Sequence, residues 1–450
     1  MLAYEVAALQ DSGAYPAMGT FATNNLRNSG TGAYDIASAR VSGTSVVTNT
    51  VPTVAFRGAG RPEAAGDIER AIDRFAARIG LDPVEVRLRN MVPPDAFPYT
   101  TALGSTYDSG RYAEALERCV AAADYAGWRR EQAERRRRDD QVQLGIGVSC
   151  TVEITGGGEG GETATVTVGE NGSATIVVGT SPHGQGHETA FAEVAAAVLG
   201  IDRARIQILH GDTDLSPFGG GTAGSRSAQL GGSATHGAAL AAVESAKARA
   251  AEHLEAAVAD IEFDRDHGRF HVVGTPARAL AWADLGGIEA EHTFKSAGTF
   301  AFGACVAVVE LDIETGDVRC RELTSVDDAG TILHHASAEG QVHGGLGLAV
   351  GAALYEQMVY DDDGVPRTSN LADYALVSAT EVPTFRTIAM QTPSPLNPLG
   401  VKGIGESGTV VGTPALQSAV LDALAPFGVE HLDMPYTPER VWRAMGVGGS

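Results

Sequence analysis

The stretch Asn397-Pro398-Leu399-Gly400-Val401-Lys402-Gly403-Ile404-Gly405-Glu406-Ser407-Gly408-Thr409-Val410-Val411 constrains this chain more than any other. It sets one carboxylate, Glu406, among four glycines and one lysine. Glycine at this density lets the backbone adopt positive φ and approach another group closely. A glutamate held in such a turn, away from bulk water, is a candidate proton acceptor. A glycine-rich loop whose glutamate merely faces solvent is the plainer reading, and the residues alone leave both open. A helix-like run follows from Pro414 to about Ala425, with Leu416, Val420 and Leu424 spaced by four.

The rest of the chain narrows the class. Its 450 residues suffice for a substantial core and two or more domains. A net charge of −23 opposes binding to nucleic acid, since like charge repels phosphate. The basic run Arg135-Arg136-Arg137-Arg138 ends a predicted helix, where cations meet the favourable end of the dipole. The four cysteines, Cys119, Cys150, Cys305 and Cys320, form no CxxC and match neither a disulfide framework, a zinc site nor an iron–sulfur run. No apolar run approaches the roughly 18 residues of a membrane span, and the first residues lack a basic leader region. The cytoplasm is the expected location.

Periodicity supplies a coarse map. "AYEVAALQDSGAYPAMG" reads as a strand entering a turn, and residues 43–56 alternate as a strand. Ile68, Ile72, Phe75 and Ile79 make one buried helical stripe. Asp82-Pro83-Val84-Glu85 is a helix start, and a further helix runs from Tyr112 with Leu116, Val120 and Ala123 on one face. A boundary is expected near residue 140, separating units 1–140 and 141–450. "LGIGVSCTVEIT" and "ETATVTVGENGSATIVVGT" read as strands, the latter a hairpin turning at Glu170-Asn171-Gly172. Residues 260–297 read as a strand and helix insertion, and 299–330 as two strands around Glu314-Thr315-Gly316-Asp317. Gly340-Gln341-Val342-His343-Gly344-Gly345 opens a helix, and Thr437-Pro438-Glu439 starts a capped final one.

Three more glycine-rich turns feed helices, and each could hold an anion on backbone N–H groups. They are Phe56-Arg57-Gly58-Ala59-Gly60-Arg61, Gly179 to Glu188 with Gly184-Gln185-Gly186-His187, and Phe218 to Ser227 with Thr222-Ala223-Gly224-Ser225. Each could equally be a plain connection. Gly156-Gly157-Gly158-Glu159-Gly160-Gly161 fits G-x-G-x-x-G, but a strand rather than a helix follows, so a dinucleotide reading is rejected. His183 and His187 are four apart, yet Gly-Gln-Gly between them makes a poor helix and H-E-x-x-H is absent. His334 and His335 are adjacent and read as a turn rather than as ligands.

"NPLGVKGIGESGT" closely resembles the C-terminal signature of the molybdenum hydroxylase large subunit, the family of xanthine dehydrogenase, aldehyde oxidase and aerobic carbon monoxide dehydrogenase. "AFRGAGRPEA", "SPHGQGHET" and "GDTD" with "GTAGSRS" are similar to its other signatures. The resemblance implies an α+β fold of two mixed lobes with the cofactor between them. It implies Glu406 as the general base in hydroxylation of an aldehyde or N-heterocycle with oxygen from water. It places Phe56, Arg57, Gly58, Gly184, Gln185, Gly186, His187, Thr222, Ala223, Gly224, Ser225, Ser227, Gln341, Lys402, Gly403 and Gly405 at the cofactor, and Ala59 in the substrate pocket. Lys402 is expected to tune Glu406. Molybdenum is held by the pterin, in its cytosine dinucleotide form, so no metal-ligating residue is expected. FAD and 2Fe-2S clusters are expected on an iron–sulfur subunit and an FAD subunit.

The match covers nearly all of this chain but only about the C-terminal half of the family's large subunit. A separate N-terminal half is therefore a further expected partner. The other reading is an inactive cofactor-binding or assembly half-subunit, or the remnant of a truncated gene. The chain also departs from the family pattern. Gly58-Ala59-Gly60 stand where carbon monoxide dehydrogenases carry a copper-binding cysteine, and Ala59 where xanthine dehydrogenases carry phenylalanine. His334-His335 replace the usual Asn-Pro, and Leu348 replaces a polar residue.

Overall fold

The computed structural model describes residues 1–16, 21–156, 160–216 and 218–446. The chain opens with β1 (Ala3–Asp11), α1 (Phe21–Ser29) and β2 (Ser38–Val46). It continues through α2 (Arg61–Ile79), α3 (Pro83–Asn90), the short pair β3 (Tyr99–Thr100) and β4 (Thr106–Tyr107), α4 (Tyr112–Ala122) and α5 (Tyr125–Arg138). Next come β5 (Val142–Thr155), β6 (Glu162–Val168), β7 (Ala174–Val178), α6 (His187–Leu199), β8 (Ile206–Leu209) and α7 (Ser233–Leu254). Then follow β9 (Ile261–Asp264), β10 (Arg269–Val272), β11 (Ala279–Ala281), β12 (Ile288–Phe294), β13 (Thr299–Asp312) and β14 (Val318–Asp328). The last elements are α8 (His335–Leu354), β15 (Phe385–Met390), α9 (Ser407–Leu424) and α10 (Pro438–Ala444).

Two four-stranded sheets organise an α+β fold. The first has the order β15–β14–β13–β5. Its long strands β5 and β13 are buried almost throughout, because helices cover both faces. Ile68 and Ile72 of α2 and Leu116 of α4 pack on one face with Ile146 and Val148. Leu346 of α8 and Ala415 and Ala419 of α9 pack on the other with Cys305 and Ala307. Gly145 and Gly147 make the second contact possible, since a Cβ at either would run into the Ala419 or Ala415 carbonyl of α9. The second sheet, β12–β6–β7–β8, alternates buried and half-exposed residues along β6 and β7. Only one of its faces is therefore packed, against Phe191 of α6 and Ala238 and Ala242 of α7.

Most expected elements form for the expected reasons. Asp82 accepts from the Val84 N–H at 2.8 Å and starts α3, with Pro83 in its first turn. Gly172, at φ 72°, turns the β6–β7 hairpin. Arg138 ends α5, where the last-turn arginines pair with Glu131, Glu134 and Asp140.

Several expectations are corrected. The strand expected at 43–56 is shifted to Ser38–Val46, where pairing with β1 fixes it. Phe75 and Ile79 are 38% and 46% exposed, because the end of α2 runs past the sheet; Ala76 and the charged Glu69 take the buried positions. Residues 260–297 hold no helix longer than the single turn Trp282–Leu285; they form a small sheet β11–β10–β9 and the edge strand β12. α8 begins at His335, so Gly340–Gly345 lie inside it, and the His334 side chain caps it by accepting from Ser337 N–H. Thr437 stands before α10 without a side-chain cap bond. α9 begins at Ser407 and carries Pro414 in its interior, while the Val411 carbonyl is met by Ser149 Oγ at 2.7 Å. The run Ser407–Phe427 is thereby long and apolar enough to cross a membrane, contrary to the sequence expectation, but it is mostly buried in the core. The turn at Ala17–Gly19 and the Gly157–Glu159 part of the rejected G-x-G-x-x-G motif lie outside the described residues.

Candidate active site

The site is built where four glycine-rich turns meet. Gly58, Ala59 and Gly60 have φ of 107°, 48° and 87°, a left-handed run that ends where α2 begins. The run is locked by Asn25, whose Nδ2 donates to the Ala59 carbonyl at 2.8 Å. It turns the Gly58 N–H outward onto Glu406 Oε1, 3.0 Å away. Glu406 sits at the N-cap position of α9, but its carboxylate does not cap that helix. Oε2 instead accepts from Ser225 Oγ at 2.9 Å and pairs with Arg61 Nη1 at 3.0 Å. A carboxylate offers about four lone-pair sites. Three are engaged, and the side chain keeps 13% exposure.

Arg57 holds the turns together. Its Nε donates to the Gly405 carbonyl at 2.5 Å, and its Nη2 to Gln341 at both the carbonyl (3.2 Å) and Oε1 (2.9 Å). Gly403 packs so tightly on Ser225 that any side chain there would collide with its carbonyl, and its N–H donates to Thr155 Oγ1 at 3.0 Å. Ser225 reaches Glu406 from a left-handed conformation, φ 53°. Thr222 and Ser227 hydrogen-bond to each other through their hydroxyls at 3.1 Å, and the Gly224 carbonyl accepts from Gly156. Ala223 accepts from Arg226 N–H in the same turn.

Gly184 and Gly186, at φ 98° and 73°, lead into α6, and Gly186 approaches Ser337 at the start of α8. The Gln185 side chain accepts from the His183 N–H and lines a cavity of about 90 Å³ with Gln341, His334 and Lys402. His187 is buried, stacks on Phe191 with ring centres 4.9 Å apart, and leaves Nδ1 without a partner. Burial pushes its pKa down to about 4, so the ring is neutral at pH 7. Phe56 and Ala59 line a separate cavity of about 530 Å³ with Leu26, Val54 and Glu63.

Lys402 does not meet Glu406. Its Nζ donates to the Ser109 carbonyl at 2.9 Å, lies 3.9 Å from Asp108 and sits 5.3 Å over the Phe302 ring. The charges that act on Lys402 are Asp108 and Asp328, so the expected direct tuning of Glu406 gives way to a buried structural contact.

A model described as the molybdopterin cofactor-binding domain matches residues 118–383, and a second of that description matches residues 1–91. The chain belongs to the molybdenum hydroxylase large subunits. The carbon monoxide dehydrogenase large chain of Hydrogenophaga pseudoflava is 37% identical over 92% of this chain and 55% of its own length. The nicotine 6-hydroxylase large subunit of Paenarthrobacter nicotinovorans is 35% identical over 92% of this chain and 53% of its own. Among solved structures, quinoline 2-oxidoreductase from Pseudomonas putida 86 superposes with a TM-score of 0.90 at 34% identity, covering 99% of this chain and 60% of the other. The chain thus spans about half the length of the curated relatives it matches.

The residues fit the molybdopterin that defines this family. A Cβ at Gly184 or Gly221 would meet nothing within 4 Å, so both turns border open space. The unpartnered His187 Nδ1 and the backbone N–H groups starting α6 are polar groups of the kind a phosphate-bearing pterin needs. Among the described residues, no three of His, Cys, Asp or Glu form a metal-ligand cluster.

Sequence reasoning missed three residues of this candidate site. Arg61 stands in the Arg57 turn, where sequence reasoning gives it no role of its own. Glu153 is a charged residue inside the buried strand β5, 4.0 Å from Arg61 Nε, and that interruption of an apolar strand was the available signal. Asp327 is the penultimate residue of β14 and accepts from Ser407 Oγ (2.9 Å) and Ser325 Oγ (2.7 Å), while burial pushes its pKa up to about 6.

Proposed function

We propose that this chain supplies the base and the cofactor-holding turns of an oxidoreductase that hydroxylates an aldehyde or N-heterocycle with oxygen from water. The observation that carries the reading is Glu406, fixed by Gly58, Ser225 and Arg61 with one lone-pair site left over. When bound, a molybdenum–pterin cofactor in the cytosine dinucleotide form supplies the oxygen-transfer and two-electron redox chemistry. Glu406 accepts the proton on its carboxylate. Gly58, Ser225 and Arg61 hold that carboxylate in one orientation, so no reorganisation is needed as the proton moves. Arg57 clamps the Gly405 turn to Gln341 and keeps the base in register with the cofactor-facing residues. Gly184, Gln185, Gly186 and His187 offer backbone and amide groups, and Thr222 to Ser227 offer hydroxyls, to the pterin and its phosphates.

Substrate class is argued from Ala59. The small Ala59 side chain, next to the Gly58 N–H that meets Glu406, leaves room for a bulky substrate, whereas the 530 Å³ cavity that Phe56 and Ala59 wall is not lined by Glu406. The stretch 56–61 has no cysteine, which argues against carbon monoxide as substrate despite the similarity to carbon monoxide dehydrogenase. Relatives named for nicotine and quinoline favour the N-heterocycle. Electrons leave to iron–sulfur and FAD subunits.

The test is molybdenum and released cytidine nucleotide in the chain purified alone and assembled with its partners. Stoichiometric metal and nucleotide in the assembled sample support the reading. Their absence from both samples overturns it and leaves a non-catalytic half-subunit.

A further inference from the structure

Behind the base lies a cluster that the proposed reaction does not use. Three carboxylates, Glu406, Glu153 and Asp327, stand near two guanidiniums, Arg57 and Arg61. Full ionisation would bury one surplus negative charge, so the cluster favours holding one proton. The donors within reach of each carboxylate differ. Glu406 has three donors, and Asp327 accepts from two hydroxyls. Glu153 has none: both its oxygens are buried and unpartnered. The nearest cation, Arg61 Nε, is 4.0 Å away and is itself unpartnered. That gap is too long for a hydrogen bond, whereas an ionised carboxylate beside a free guanidinium N–H would close to about 2.8 Å.

Resting on Glu406 as the base, we infer that Glu153 is a positioning residue that carries a proton at neutral pH and so leaves the Arg61 guanidinium to Glu406. The charged groups facing it are Arg57 and Arg61, Glu406 at the start of α9, and Asp327 near the end of β14. Burial, opposed by Arg61 and Arg57 and reinforced by Glu406 and Asp327, pushes the Glu153 pKa up to about 8. Once ionised, Glu153 competes for Arg61 and Glu406 loses its guanidinium.

The experiment compares the full chain with Glu153→Gln by infrared spectroscopy and thermal unfolding across pH. The expected wild-type spectrum at pH 7 contains a protonated-carboxyl stretch that fades as pH rises through about 8 and is missing from E153Q. Because the folded pKa lies above the ordinary 4.5, the protonated form stabilises the chain fully below 4.5, and that stability is lost as pH rises toward 8. The Tm of E153Q minus that of wild type should therefore rise across this window and level off beyond it. A pH-independent difference, or a carboxyl stretch that survives in E153Q unchanged, overturns the inference. If E153Q cannot be isolated, the wild-type spectrum decides alone: a band titrating near pH 8 supports it, and no protonated carboxyl at pH 7 refutes it. In the assembled enzyme, E153Q should shift the alkaline limb of kcat/KM. If Glu406 is not the base, that limb does not move while the spectral and unfolding results stand, which separates the two failures.

Discussion

Glu406 and Glu69 are bonded by nearly the same kit of donors. Glu69 accepts from the Tyr34 hydroxyl, from Arg87 Nε at 2.8 Å and from the Cys150 N–H at 3.0 Å. Glu406 accepts from a serine hydroxyl, an arginine and a glycine N–H. The difference is access. Glu69 and Arg87 have side chains 0% exposed, sealed where α2 and α3 meet β5. Glu406 sits at the mouth of glycine turns and retains 13% exposure. One donor set therefore makes a structural ion pair in one place and a candidate base in another, and solvent reach decides which.

Exchanging charge for amide at the two positions should break them apart. Glu406→Gln is expected to lower turnover of the assembled enzyme about 10²- to 10⁴-fold. Its unfolding free energy should fall less than that of Glu69→Gln, since water reaches the Glu406 carboxylate. Glu69→Gln should do the reverse: a loss of about 3–5 kcal/mol in denaturant unfolding, since Arg87 is left buried with a weakened partner set. Equal effects on stability would end the comparison. A smaller effect sharpens it at Asp327, whose pKa is pushed up to about 6 by burial. Its protonated form favours the fold below about pH 4, and that advantage disappears as pH rises through 6. Asp327→Asn should remove up to about 3 kcal/mol of this pH dependence, read from unfolding at pH 4, 5 and 7. The smallest effect is expected from Lys402→Met, about 1–3 kcal/mol of stability from the lost Ser109 bond, with the pH dependence of turnover unmoved. A displaced pH profile would restore Lys402 as a partner of the base.

The signature turns are legible in the sequence because their chemistry is local. Arg57, Gln341 and Ser225 are all expected near the cofactor, and the fold brings them to one place around Glu406 and Gly405. Their particular partners are not legible there. Arg57 and Ser225 bond to chain atoms at the base, and Arg61 binds Glu406 across 345 residues of sequence, a pairing no periodicity encodes. Helix boundaries fail at Pro414 and at Gly340–Gly345, where intrinsic breakers sit inside α9 and α8. Gly345 of α8 packs on Gly408 of α9 and Gly412 of α9 on Ala349 of α8, a close approach that outweighs propensity.

The family, the α+β composition, the β6–β7 hairpin, the start of α3 and the identity of the candidate base are all readable from the residues, because each is written in residues close together along the chain. That Lys402 bonds to Ser109 rather than Glu406, that α9 is a core helix and that Glu153 lies unpartnered behind Arg61 emerge from the folded chain alone. Those outcomes depend on which distant side chains are brought within a few ångströms, and burial then sets the energy of every charge among them.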